Sequence, residues 1–150
     1  MSETTQAARM PLFEWNMTQS SYPRDLCLHQ RFEQQVRLRP EKVAVTCEKQ
    51  SLTYTQLHEQ SDQLAAILRS LGVGPEMPVG ICVERSLEMI VGLLAILKAG
   101  GAYVPLSLDD PKERLAFLLA DSGVEVILTR RRYLSVLPTS SARFVYLDDP

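Results

Sequence analysis

Hydrophobic positions along this chain change period several times, and each change marks an element. In "LHQRFEQQV", Leu28, Phe32 and Val36 recur every four residues. That spacing predicts one stripe of a short amphipathic helix, which Pro40 stops. "KVAVTCE" and "QSLTY" are short β-branched runs joined through Lys49 and Gln50, and they read as a hairpin. Thr53 and Gln56 then have the spacing of a capping box, in which each side chain satisfies a free amide at the helix start. Leu57, Ser61, Leu64, Leu68 and Leu71 follow on one helical face, with Ile67 widening it. Gly72 is placed to close this helix in left-handed geometry.

From there the chain alternates. "PVGICV" is apolar without polar alternation, as in a strand covered on both faces. Ser86 can cap the next helix, 87–98, with Glu88 in its first turn complementing the helix dipole. That helix is apolar nearly all round, which predicts that it is sandwiched between layers. Lys98 falls in its last turn, where a cation complements the helix dipole, and Gly100 and Gly101 supply the backbone freedom for a tight joint into the strand "AYVPL". Asp110, Pro111 and Glu113 predict another helix start: a cap, a first-turn proline and an acidic third position. Leu115, Leu118 and Leu119 form its expected buried face, with Phe117 on the flank. Ser122 and Gly123 end it. "VEVILT" is a strand, "RRRYLSVL" a further short helix, and "RFVYLDD" a last strand. Strand, helix, strand, helix, strand is the order of an α/β fold with a largely parallel sheet, here preceded by a short helix and a hairpin.

Composition narrows the picture without adding chemistry. A chain of 150 residues suffices for a single domain with a real core. We read 25–150 as domain and 1–24, polar and interrupted by Pro11 and Pro23, as a leader or linker. A net charge of −2 leaves no electrostatic footprint for nucleic acid or an anionic membrane. Arg130, Arg131 and Arg132 read as a solvated face. Cys27, Cys47 and Cys82 lack metal-type spacing. No apolar run is long enough to span a bilayer, the N-terminus has no secretory h-region, and the expected location is the cytoplasm.

The search for an active site returns fragments. The glycine pairs follow helices rather than strands, so neither is a dinucleotide fingerprint, and no phosphate loop followed by Lys-Ser or Lys-Thr is present. His29 and His58 sit on polar helix surfaces without a set of metal ligands. Ser86 lacks a nucleophile elbow and reads as a cap. One N-cap and one solvated neighbour account for Asp109 and Asp110, and exposure near a terminus for Asp148 and Asp149. The best-placed polar group is "CVERS", where a strand ends and a helix begins, the region in which open α/β sheets bind ligands. Glu84 and Arg85 there are either part of such a site or a loop ion pair.

"LTYTQL", at 52–57, and "LKAGGAYVPL", at 97–106, resemble the first two core motifs of the adenylation domains of nonribosomal peptide synthetases. The stretch from Gly80 to Thr129 resembles the family's running text, and "WNMTQSSYPRDLCLHQRFEQQVRLRPEKVAV" its lead-in. The resemblance covers roughly residues 15 to 148. It departs at Ser107, Leu108, Asp109, Asp110 and Pro111, where the family has Asp-Pro-x-Tyr-Pro, and at Gln56, where Glu is common. It implies the N-terminal portion of the adenylate-forming enzyme fold. It also implies a family that activates amino acids with ATP and Mg²⁺ and passes the adenylate to a phosphopantetheine carrier domain. The family's phosphate loop, substrate and ribose aspartates and catalytic lysine lie beyond this stretch. No catalytic, cofactor-binding or metal residue can therefore be carried over, and the chain by itself is expected to be inactive, marginally stable and prone to self-association. The implied partners are the rest of the adenylation domain and its carrier and condensation domains. Two other readings stand beside this one: a non-enzymatic module binding an MbtH-like protein, and the front part of an acyl- or aryl-acid CoA ligase.

Overall fold

The computed structural model describes residues 17, 18, 20, 21 and 25–148. Most of the expected leader, and Asp149, lie outside those residues. Helix α1 is Leu28–Leu38, and the hairpin is β1, Val43–Cys47, with β2, Gln50–Thr53. Helix α2 is Tyr54–Ser70, β3 is Pro78–Cys82, α3 is Leu87–Ala99 and β4 is Ala102–Pro105. Helix α4 is Lys112–Ser122, β5 is Val126–Thr129 and β6 is Arg143–Tyr146.

The main sheet has the order β4-β3-β5-β6, and every neighbouring pair is parallel. Its two central strands are covered on both faces, as their unbroken apolar sequences require. Val79, Ile81, Val126 and Leu128 point into a core shared with α2 and α3. Cys82, Ile127 and Leu106 point the other way, against Leu115 and Leu119 of α4. Helix α3 is thus sandwiched between α2 and the sheet, which is why it needs no polar face.

The helix starts behave as their sequences predict, with one exception. At α2 the box is complete: Gln56 N–H donates to Thr53 Oγ1 at 3.2 Å, and Thr53 N–H donates to Gln56 Oε1 at 2.9 Å. At α3, Ser86 Oγ accepts from Met89 N–H at 3.3 Å. Ser86→Ala should lower stability by about 1 kcal/mol, read as a fall in the urea midpoint with unchanged slope. The exception is α4. Asp110 is not its cap and Pro111 is not in its first turn, because Pro111 is extended, with ψ at 146°. The chain instead turns through 107–110, where Asp109 N–H donates to Ser107 Oγ and Asp110 N–H to Ser107 O. The helix begins one residue later, at Lys112.

Other boundaries shift for local reasons. Cys47 pairs with Gln50, so the hairpin turn is Glu48–Lys49, with Glu48 in the left-handed region at φ 53°. Leu28 is 66% exposed, because the contact of α1 with the core begins one turn later at Phe32. Ile67 stays exposed on the α2 flank, as does Phe117 on α4, while Leu118 is only half-buried. The run after β5 forms only a single 3₁₀ turn, Arg131–Tyr133. Gly72, at φ 92°, closes α2 in left-handed geometry.

Candidate functional site

The chain leaves β3 through α3 on one face and reaches β5 through α4 on the other, so connections diverge between these neighbouring strands. Their carboxyl ends form the switch-point crevice at which open α/β sheets place ligands. Here it has a volume of about 310 Å³ and brings together Glu84, Ser86, Glu88, Arg130 and Arg132, with Cys47 at the hairpin end.

An ion-pair network fills its floor. Arg130 Nη1 lies 2.6 Å from Glu84 Oε1 and Arg130 Nη2 lies 2.7 Å from Glu88 Oε1. Arg132 also donates to Glu84 Oε1. Two sequence expectations are corrected here. The arginine run is not simply a solvated face, since the Arg130 side chain is only 18% exposed. The ion-pair partners of Glu84 are Arg130 and Arg132, while Arg85 is exposed at the rim of the crevice; its carbonyl accepts from Cys47 Sγ at 3.8 Å. The reason is topological. Parallel neighbours β3 and β5 end side by side, so residues 46 apart in sequence meet while consecutive ones diverge.

Burial pushes the Glu84 carboxyl up, but hydrogen bonding to Tyr133 and to its own backbone, with the charges of Arg130 and Arg132, outweighs it and holds the group below the ordinary carboxylate range. Glu88 is lowered too: burial works against it, while its own backbone amide, Ser86 and Arg130 favour the charged form. The carboxylates and guanidiniums therefore neutralise one another. Such a crevice can hold its walls in register, since its ion pairs tie the ends of β3 and β5 to the start of α3. Beside it, a cleft of about 590 Å³ opens between the ends of β3 and β4, floored by Ile81, Val83 and Leu106 and rimmed by Asp109 and Asp110.

A second polar cluster lies between helices. The Lys98 side chain is only 3% exposed, so its role goes well beyond the helix dipole. Its ammonium donates to His58 Nδ1 at 2.9 Å, His58 O at 3.2 Å and Asp62 Oδ1 at 2.7 Å, and it lies 5.5 Å from the centre of the Phe32 ring. All three donors are used, and α1, α2 and α3 are tied at one point. The helical pattern alone puts His58 on a polar surface. The i,i+4 spacing of His58 and Asp62 is the one local signal of this cluster, and nothing nearby in sequence announces a lysine forty residues away.

The thiols differ sharply in environment. Cys82 is fully buried, and burial pushes its thiol up to about 11, whereas Cys27 is exposed. At neutral pH a thiol reagent should label Cys27 in the folded chain and reach Cys82 only after denaturant is added, as read by mass spectrometry. Among the described residues no group of His, Cys, Asp or Glu is arranged to hold a metal ion. None of their helices is long and apolar enough to cross a membrane.

Comparison with known proteins agrees with this architecture. The model of the AMP-binding enzyme family matches residues 32–146. One of the linear gramicidin synthase proteins of Brevibacillus parabrevis is 48% identical over 137 residues, which are 91% of this chain and 3% of that protein. The crystal structure of the nonribosomal peptide synthetase FmoA3 superposes with a TM-score of 0.83 at 32% identity, covering 93% of this chain and 15% of that one. The N-terminal subdomain of Klebsiella oxytoca NpsA, in complex with 3-hydroxybenzoyl-AMSN, gives a TM-score of 0.75 at 25% identity, over 87% of this chain and 33% of that one. This chain spans only a few per cent of the length of the gramicidin synthase it matches. A family model matched across most of the chain, with a close superposition on a solved synthetase, places it: the chain belongs to the AMP-binding enzyme family and corresponds to the amino-terminal portion of a nonribosomal peptide synthetase adenylation domain.

Proposed function

We propose that this chain forms the amino-terminal part of a module that activates an amino acid as its adenylate, using ATP and Mg²⁺, for transfer to a phosphopantetheine-bearing carrier domain. The observation that carries this is the 48% identity over 91% of the chain to a linear gramicidin synthase. The aryl compound bound to the NpsA subdomain favours an aryl-acid reading, but at 25% identity it carries less weight. Residues 25–150 belong to the adenylation domain in this reading, and 1–24 are its leader or linker.

The part this segment plays is scaffold. What supports a structural role is that Arg130 and Arg132 at the switch point are engaged by Glu84 and Glu88, and that Gly100 and Gly101 serve the end of a helix. In this reading no step of the reaction falls to a residue of this chain. Replacing the matching segment of an active adenylation domain with residues 32–146 should preserve amino-acid-dependent ATP–pyrophosphate exchange, while the 150-residue chain alone should give none. A folded chimera without exchange, or exchange by the chain alone, would overturn the proposal.

A further inference from the structure

We draw no further inference here: the strongest candidate, the groove of about 340 Å³ between α2, α3 and the free edge of β6, walled by Leu64, Ile67, Val91, Val145 and Leu147, carries nothing because nothing in the structure shows what covers it.

Discussion

Gly101→Val should lower the stability of this chain by about 3 kcal/mol, the upper part of the range for overfilling a packed site. A Cβ at position 101 would stand 3.0 Å from the Met77 carbonyl oxygen, 3.0 Å from Val73 Cγ1 and 3.3 Å from Ile96 Cγ2. Neither side of this contact is free to move. The Gly101 amide donates to Ile96 O at 3.0 Å, and the Met77 carbonyl accepts from Ala102 N–H at 2.8 Å. Relief of the clash would break one of those bonds or displace β4 from β3. Gly101→Ala should show the same effect in reduced form. Urea unfolding of the three proteins measures it, and midpoints that coincide would show that the α3–β4 joint is slack. The joint explains why an apolar helix turns so abruptly into a strand at this motif. Gly100, at φ 95°, ends α3 in left-handed geometry, and Gly101 lets β4 start against the 73–77 loop.

That motif illustrates which parts of the structure were legible in sequence. Caps and periodicities are local, so Thr53 with Gln56, Ser86, Gly72 and Gly100 could be placed from residues three or four apart. The covered strands were equally visible, since "PVGICV" and "VEVILT" have no polar alternation. At α4 the local rules competed. Asp110, Pro111 and Glu113 suit a helix start, yet Ser107 captures the preceding amides in a turn and delays the helix. The candidate site is half legible: the sequence puts Glu84 at the right strand end but does not show its partners. Arg130 reaches it because β5 is the neighbour of β3, a fact of strand order that no local pattern encodes. Lys98 likewise reads in sequence only as a helix-dipole cation, although packing of α3 on α2 directs it to His58 and Asp62.

Arg130→Met should lower stability by about 2 kcal/mol and blunt the chain's sensitivity to acid. Breaking a fully buried pair costs about 3–5 kcal/mol, and exposed pairs are worth about 0–1 kcal/mol. The crevice lies between these limits, with Arg130 at 18%, Glu84 at 30% and Glu88 at 40% side-chain exposure. Methionine preserves much of the buried stem, and it removes Arg130 Nε, a buried donor without a partner. What remains is the cost of leaving Glu88 without the guanidinium that holds it and Glu84 with Arg132 as its one ion-pair partner among the described residues. The pH dependence separates this effect from lost packing. Both carboxyls are lowered in the folded chain, so their contribution is present above the ordinary carboxylate range and is lost as pH falls through the depressed folded values. Removing Arg130 weakens that depression. The deficit of the variant should therefore be full at pH 7 and shrink progressively as pH falls below about 4, toward the depressed values at which protonation silences the pairs. Urea midpoints measured from pH 7 to pH 3 test it: a deficit constant across that range would make Arg130 a packing residue and the ion pairs incidental.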